Sequence, residues 1–237
     1  MPTIRLDNVS KFYRGDHRVE VAIRDANLTI EQGDFVFLTG SSGAGKSTLL
    51  GLISGQIKPD RGHVFLGETD ITRIPKRKRH RIALKFGQVW QEPTLVRKQT
   101  VEENLELAAM IGTSLRFETH RMTRMRVRKV LGLVGMAGYE KYYPIELSSG
   151  ECRRIELARA MINSPSVLLL DEITANLDDD NIWDIFHLLE AINRKGTTVV
   201  MATHASQYVN IMRRRVVTLV DGCIFGDVKK GRYGEIV

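Results

Sequence analysis

The sequence predicts an α/β fold in which strands alternate with helices around a parallel sheet. The first observation is the apolar segment Phe35–Thr39, which runs directly into a glycine-rich turn at residues 40–48. The second is a β-α-β pattern after Pro165, with apolar strands expected at 167–170 and 197–202. Strands that are apolar throughout are typical of parallel sheets covered by helices on both faces.

The helix between those two later strands has apolar residues at helical spacing, which predicts that one of its faces packs on the sheet. These residues are Ile182, Ile185, Phe186, Leu189 and Ile192. Residues 86–89 are expected to add another strand. The dipeptide Asp221-Gly222 predicts a hairpin turn near the end of the chain.

The N-terminal part of the chain predicts a second sheet. Residues 4–9 and 22–30 are expected to be strands of an antiparallel β subdomain. A turn at 59–62, which contains proline and glycine, precedes a further strand at 63–66.

The pattern becomes helical from Thr100 to about residue 162. Thr100 with Glu103 forms a capping box, the side-chain signal that begins a helix. Met122, Met125 and Val130 repeat at helical spacing, and we expect the two methionines to lie in the core rather than on a binding surface. The sequence therefore predicts a helical subdomain inserted into the α/β core.

The composition of the chain limits the classes of protein to which it can belong. No apolar run of the 237 residues approaches the ~20 needed to cross a bilayer, and the first residues lack the apolar stretch of a signal peptide. We expect a cytoplasmic protein that reaches a membrane only through a partner. Cys152 and Cys223 lie far apart, so neither a disulfide framework nor a zinc site is indicated, and Cys152 is expected to be a small helix residue rather than a nucleophile.

The net charge of +7 comes largely from residues 76–81 and 116–129. In the second stretch, Arg121, Arg124 and Arg128 fall on one helical face. Such a face can bind nucleic acid, anionic lipid or an acidic partner, whereas the simpler interpretation is a solvated helix surface. Charge alone leaves the partner open.

The glycine-rich turn has the spacing of a phosphate-binding loop. Gly40, Gly43 and Gly45 allow backbone N–H groups to converge on a phosphate at a helix N-terminus. Lys46 can then reach the β- and γ-phosphates of a nucleoside triphosphate, and the Ser47 hydroxyl can coordinate Mg²⁺. The predicted ATP-binding residues of this loop are Gly40, Ser41, Ser42, Gly43, Ala44, Gly45, Lys46, Ser47 and Thr48.

Two acids, Asp171 and Glu172, follow the apolar strand at 167–170. Adjacent strand residues point in opposite directions, which would give the two carboxylates separate roles. We expect Asp171 to hold the Mg²⁺ shell through a water, and Glu172 to orient or deprotonate the water that attacks the γ-phosphate.

A third motif separates this chain from other phosphate-loop proteins. Residues 147–151 read Leu-Ser-Ser-Gly-Glu shortly before the Asp171-Glu172 pair. This segment is similar to the LSGGQ signature, and the chain resembles the nucleotide-binding subunits of ATP-binding cassette (ABC) proteins over essentially its whole length. The resemblance implies one nucleotide-binding domain at 1–237, with a RecA-like core and β subdomain at about 1–91 and 163–237, and a helical subdomain at about 92–162.

The resemblance implies an ATPase that works as a head-to-tail homodimer. Ser148, Ser149, Gly150 and Glu151 would then face the ATP held by a second copy, and Ser148 and Gly150 would bind its γ-phosphate. Ser149 stands in place of a glycine and Glu151 in place of a glutamine. These departures add a Cβ and a negative charge near the phosphate.

Other positions match the same family pattern. Gln91 matches the glutamine of the Q-loop (residues 92–99), which would touch Mg²⁺ and the water. His204 resembles the switch histidine, and Asp178 lies in a segment that resembles the D-loop at the dimer interface. Tyr13, expected on a turn that ends at Gly15, resembles the aromatic residue that stacks on adenine. The implied cofactors are ATP and Mg²⁺, with the metal near Ser47, Gln91 and, through water, Asp171.

Within the ABC family three segments are similar to the FtsE cell-division ATPases: residues 35–48, Asn176-Leu177-Asp178 and a tail at 230–234. That resemblance implies an integral membrane partner like FtsX, a position at the cytoplasmic face of the membrane, control of peptidoglycan hydrolysis, and no direct contact with nucleic acid. ATPases of lipoprotein-release or macrolide-efflux systems are one alternative. A soluble ABC ATPase that acts on nucleic acid is another, consistent with the basic surface.

Overall fold

A computed structural model describes residues 3–14, 19–112 and 120–235. The first half contains β1 (Ile4–Arg14), β2 (Val19–Ile30), β3 (Phe35–Thr39), α1 (Lys46–Ile53), β4 (Arg61–Leu66), β5 (Thr69–Asp70), α2 (Arg79–Ala83) and β6 (Phe86–Val89). The middle contains α3 (Val101–Gly112), α4 (His120–Leu133) and α5 (Ser149–Met161). The last part contains β7 (Val167–Asp171), α6 (Asp179–Arg194), β8 (Thr198–Ala202), α7 (Ser206–Met212), β9 (Arg215–Val220) and β10 (Cys223–Val228).

The larger sheet has the strand order β10-β9-β3-β8-β7-β6. The five strands from β9 to β6 in this order pair in parallel. The sixth strand, β10, pairs antiparallel with β9 through the hairpin predicted at Asp221-Gly222. Both residues of that turn have positive φ, 49° and 77°. The predicted α/β core is confirmed, and the carboxyl ends of β3, β8 and β7 meet at one edge of the sheet.

The second sheet, β2-β1-β4-β5, is antiparallel, as predicted for the N-terminal part. Its first strand is longer than expected and runs through Tyr13 to Arg14. The prediction that Tyr13 lies on a turn is therefore wrong, because Tyr13 pairs with Glu20 across the sheet. Gly15, where that turn was expected to end, lies outside the described residues.

Two apolar clusters cover the two faces of the larger sheet. On β3, Phe35 and Phe37 face the cluster that contains the buried residues of α6, whereas Val36 and Leu38 face the cluster that contains α1 and the second sheet. The five apolar residues predicted for the buried face of α6 are all buried. Alternation along a strand that is buried on both faces explains why β3 is apolar throughout.

The helical middle of the chain has the predicted start. The Glu103 N–H donates to the Thr100 hydroxyl at 3.2 Å, and the Thr100 N–H donates to the Glu103 carboxylate at 2.7 Å. The prediction that Met122 and Met125 lie in the core is wrong, because they are 52% and 64% exposed. Only Val130 of that set is buried. The buried face of α4 consists of Thr123, Val127, Val130 and Leu131.

The basic stretch at 116–129 is described only from His120 onward, and its first residues lie outside the described part. Arg121, Arg124 and Arg128 are exposed on α4, and Arg124 forms an ion pair of 3.2 Å with Glu102 of α3. At least part of this basic face is therefore neutralised within the chain.

Cys152 lies on α5 and is partly buried, which raises the pKa of its thiol. A thiol held protonated is a poor nucleophile, in agreement with its interpretation as a small helix residue. Across the residues that the structure describes, no helix is both long and apolar enough to span a membrane.

Candidate nucleotide site

The turn after β3 contains glycines at positions that other residues could not occupy. Gly40 and Gly45 have φ of 144° and 100°. A Cβ at Gly40 would collide with the Leu219 carbonyl oxygen of β9, and a Cβ at Gly45 would collide with the Ala22 carbonyl oxygen of β2. Carbonyl groups of two nearby strands therefore constrain the path of this loop.

Helix α1 begins with its N-terminus open. Its N-cap residue is Gly45, and no side chain among the described residues caps the first turn. The first N–H groups of a helix have no partner within the helix, and together with the helix dipole they attract an anion. The end of α1 thus provides the donors that a phosphate requires.

Lys46 is buried, and its ammonium group is held by acceptors. Its Nζ donates to the carbonyl oxygens of Gly40 at 3.1 Å and Ser41 at 3.0 Å. It also lies 3.9 Å from Glu172 Oε1 and 3.1 Å from His204 Nε2. Burial lowers the pKa of Lys46, and the nearby carboxylates of Glu172 and Asp171 oppose this shift.

Glu172 and His204 meet at this point although they follow different strands. The Glu172 Oε1 atom lies 3.1 Å from His204 Nε2. Glu172 has φ of 48°, a left-handed conformation that is uncommon for a side chain of this type, and its N–H donates to the Ala202 carbonyl at 3.0 Å. Strained backbone of this kind is concentrated at functional sites.

Asp171 has the environment of a residue next to a hydrated cation. It is 5% exposed, and burial raises its pKa, whereas a hydrogen bond from the Ser47 hydroxyl and the charge of Lys46 oppose this rise. Its Oδ1 atom is buried and has no hydrogen-bond partner among the described residues. An unpartnered carboxylate oxygen beside a hydroxyl fits Mg²⁺, which binds oxygen ligands and retains several waters.

The segment 147–151 forms the start of α5. Ser148 is the N-cap residue: its hydroxyl accepts from the Glu151 N–H at 3.3 Å, and its N–H donates to the Glu151 carboxylate at 2.8 Å. The hydrogen bonds that the Ser148 N–H and hydroxyl donate to the Glu151 carboxylate lower the pKa of Glu151. The negative charge of Glu151 is therefore directed back at its own helix cap.

Gly150 is buried, and a Cβ there would collide with the Asn181 side chain of α6. Ser148 and Ser149 are exposed. Among the described contacts of these signature residues, none reaches the phosphate loop of the same chain. The structure thus brings Lys46, Asp171, Glu172 and His204 together but leaves the signature residues at a separate surface.

Comparison with known proteins agrees with this arrangement. The family described as ABC transporter matches residues 23–175. The chain belongs to the ABC transporter family. It is 40% identical to the cell division ATP-binding protein FtsE of Streptococcus pneumoniae over 229 residues (96% of both chains), and 41% identical to FtsE of Mycobacterium tuberculosis over 232 residues (98% of both chains).

Solved structures show the same architecture. A dimeric ATP-binding cassette in a post-hydrolysis state, bound to ADP and phosphate, superposes with a TM-score of 0.88 at 30% identity, covering 96% of this chain and 99% of that one. The predicted class, an ABC ATPase with a RecA-like core, an antiparallel β subdomain and a helical insertion, is confirmed. The chain is an ATP-binding and ATP-hydrolysing subunit that resembles FtsE.

Gln91 and Asp178, two further residues of the predicted site, lie on exposed loops. Gln91 is exposed, and its backbone carbonyl accepts from Arg153. Asp178 caps α6 by accepting from the Asn181 N–H at 2.8 Å, which lowers the pKa of Asp178. Residues of the Q-loop, the signature and the D-loop, including Gln91, Ser149 and Asn176, line one cavity of about 430 Å³.

Tyr13 is 41% exposed at the end of β1, and Lys11 Nζ lies 5.5 Å from its ring centroid. The aromatic ring is thus accessible on the surface, although it lies on a strand rather than on the predicted turn. An accessible aromatic ring is the kind of surface on which a nucleobase stacks.

A buried ion pair on α5, which sequence reasoning missed, holds the Q-loop. Arg153 and Glu156 form a contact of 2.7 Å and are almost inaccessible to solvent. Arg153 also donates to the carbonyls of Trp90 and Gln91, and Glu156 accepts from the Thr94 N–H at 2.7 Å. The available signal was the spacing of opposite charges three residues apart on a helix that packs against the core.

Replacing Glu156 with alanine should destabilise the protein by about 3 kcal/mol, because it leaves Arg153 as an unpaired buried charge. Chemical denaturation measures the free energy of unfolding. Glu68→Ala, at an exposed carboxylate between β4 and β5, is the matched control and should change it by less than about 0.5 kcal/mol. Equal stabilities of the two variants would show that the pair does not anchor the Q-loop.

Proposed function

We propose that two copies of this subunit bind Mg·ATP head to tail and drive conformational change in an integral membrane partner that resembles FtsX. The proposal places the chain at the cytoplasmic face of the membrane, held there by that partner, in bacterial cell division. The observation that carries it is the cluster of Lys46, Glu172 and His204 at an open helix N-terminus, in a chain about 40% identical to FtsE proteins. We treat 1–237 as one nucleotide-binding domain, with residues 92–162 as its helical part.

The phosphate loop would hold the triphosphate. The N–H groups of residues 40–48 would donate to the β-phosphate, and Lys46 would exchange its carbonyl acceptors for phosphate oxygens. Tyr13 would stack on adenine. The Ser47 hydroxyl, Gln91 and, through water, Asp171 would hold Mg²⁺, which when bound neutralises charge on the β- and γ-phosphates.

Glu172 would act as the general base. Its carboxylate would orient and deprotonate the water that attacks the γ-phosphate, and His204 would hold that carboxylate while donating to the γ-phosphate. The 3.1 Å contact between Glu172 Oε1 and His204 Nε2 supports this pairing.

The signature residues would act in trans. Because Ser148 and Ser149 are exposed and have no described contact with their own phosphate loop, they are available to the nucleotide of a second copy. Ser148 and the N–H of Gly150, at the start of α5, would bind the γ-phosphate, and Asp178 would lie at the dimer interface. Each site is then incomplete in one protomer, so closing the dimer and binding ATP depend on each other.

A groove beside the Q-loop would seat the membrane partner. Residues of β6, α3 and α5 line a cavity of about 390 Å³. Val96, Leu107 and Ile111 lie on its rim and are exposed, with Ile111 70% accessible. An apolar groove of this kind accepts a short helix of a partner. Since Arg159 at the groove also donates to Thr94 of the Q-loop, nucleotide state and partner position would be linked.

Lys46→Ala should weaken ATP binding at least about 30-fold, because it removes the charged donor that faces the phosphates. Equilibrium binding of a fluorescent ATP analogue measures this. Lys58→Ala removes an exposed lysine outside the loop and should leave the affinity unchanged. Equal affinities of the two variants would contradict the phosphate-loop assignment.

Glu172→Gln should lower kcat by about 100-fold or more while ATP affinity stays within about threefold, because an amide keeps the shape of the side chain but cannot accept the proton. Steady-state phosphate release gives kcat, and titration gives the affinity. A variant that turns over at the parental rate excludes Glu172 as the base.

Leu107→Asp should abolish copurification with the proposed integral membrane partner, because a charge in an apolar groove is costly to bury. The ATPase activity of the isolated subunit should not change. Phe225→Asp, at an exposed apolar residue of β10, is the control and should copurify normally. If the Leu107 variant retains the partner as well as the control does, the groove is not the docking site.

A further inference from the structure

The C-terminal segment, residues 229–235, returns to the nucleotide site. The Gly231 N–H donates to the Arg214 carbonyl at 3.1 Å, the Tyr233 N–H donates to the Asn210 side chain at 2.8 Å, and the Thr218 hydroxyl donates to the Glu235 carbonyl at 2.7 Å. These bonds hold the segment against α7 and β9. None of the motifs that predicted the nucleotide site lies in this segment.

Tyr233 carries the segment into the site. Its hydroxyl lies 3.1 Å from His204 Nδ1, and its partly buried ring packs against the core. Burial raises the pKa of the Tyr233 phenol, and the nearby backbone of Gly40 in the phosphate loop opposes this rise. The Tyr233 hydroxyl therefore contacts the histidine of the candidate site directly.

The other ring nitrogen of His204, Nε2, faces one hydrogen-bond donor and one hydrogen-bond acceptor. Lys46 Nζ, at 3.1 Å from Nε2, can only donate a hydrogen bond. Glu172 Oε1, also at 3.1 Å from Nε2, can only accept one when ionised. A neutral imidazole carries one N–H, so Nε2 serves either Lys46 or Glu172, and Nδ1 takes the complementary role.

A hydroxyl is suited to this situation because it both donates and accepts. When Nε2 accepts from Lys46, the Nδ1–H can donate to the Tyr233 oxygen. When Nε2–H donates, the Tyr233 O–H can turn and donate to Nδ1. A backbone carbonyl or N–H in the same place would support only one of the two tautomers.

We propose that Tyr233 is a positioning residue that keeps His204 oriented while its imidazole changes tautomer on ATP binding. The inference rests on the proposed function. As Lys46 moves to the phosphates, one proton leaves Nδ1 to water and another reaches Nε2 from water, so the net charge does not change. The Nε2–H then faces Glu172 and the γ-phosphate, and Tyr233 holds Nδ1.

The test is Tyr233→Phe, which keeps the packed ring and removes the hydroxyl. We expect kcat to fall about 10-fold with KM for ATP within about twofold, because the histidine loses its orientation for hydrolysis while Lys46 still binds the phosphates. Tyr142→Phe removes the hydroxyl of an exposed tyrosine outside the site and should leave kcat unchanged.

A spectroscopic measurement separates positioning from a general structural role. With ¹⁵N-labelled histidine and a non-hydrolysable Mg·ATP analogue, the parent should show His204 as one tautomer with the proton on Nε2, and Tyr233→Phe should show a mixture of tautomers. An unchanged kcat, or a fall in kcat with His204 still in the single parental tautomer, overturns the proposal.

Failure of this inference is distinguishable from failure of the proposed function. If Lys46→Ala and Glu172→Gln behave as expected while Tyr233→Phe matches the parent, only the role of Tyr233 is rejected. If Lys46→Ala and Glu172→Gln also keep parental binding and turnover, the proposed function is rejected with it.

Discussion

The candidate nucleotide site is organised around a buried cation, the ammonium group of Lys46. A buried charge is unfavourable unless acceptors surround it. Here the carbonyls of Gly40 and Ser41, the Glu172 carboxylate and His204 Nε2 supply them. These groups follow β3, β7 and β8, which are neighbours in a parallel sheet, so the fold alone brings them to one edge. A bound polyphosphate would replace these acceptors with stronger ones.

Helix α5 connects the signature residues, the Q-loop and the groove proposed for the membrane partner. Its first turn carries the signature residues, and its buried face holds the Q-loop through Arg153 and Glu156. One turn further, Arg159 reaches both the Thr94 carbonyl and the groove proposed for the membrane partner. A displacement of this helix by a second copy would therefore move the Q-loop and the groove together. Rigid contacts of this kind are the physical means by which two sites influence each other.

The parts of the fold that sequence predicted well are those in which local pattern and burial agree. The strand β3, the apolar face of α6, the Thr100–Glu103 capping box and the Asp221-Gly222 hairpin all have local signals that the structure retains. The site residues of the phosphate loop, Asp171 and Glu172 stay predictions, and they come from signals of the same local kind, namely glycine spacing and acids after an apolar strand.

The sequence predictions that were wrong, and the features that sequence reasoning missed, depend on contacts between segments that are distant in the chain. Met122 and Met125 have helical spacing, but the direction in which α4 packs is set by α3 and α5, and this leaves both methionines exposed. A side chain at Gly150 would collide with Asn181, which lies 31 positions later in the chain. Tyr233 contacts His204, which lies 29 positions earlier. Sequence reasoning from local pattern has no access to such pairs.

The central claim is that ATP joins two incomplete sites, so a hydrolysis-deficient protomer should pair when it is saturated with nucleotide. Light scattering of Glu172→Gln with size-exclusion chromatography tests this directly. We expect a mass near 26.8 kDa without nucleotide and twice that value with Mg·ATP. A variant that binds ATP fully and still elutes with the mass of one chain would contradict it.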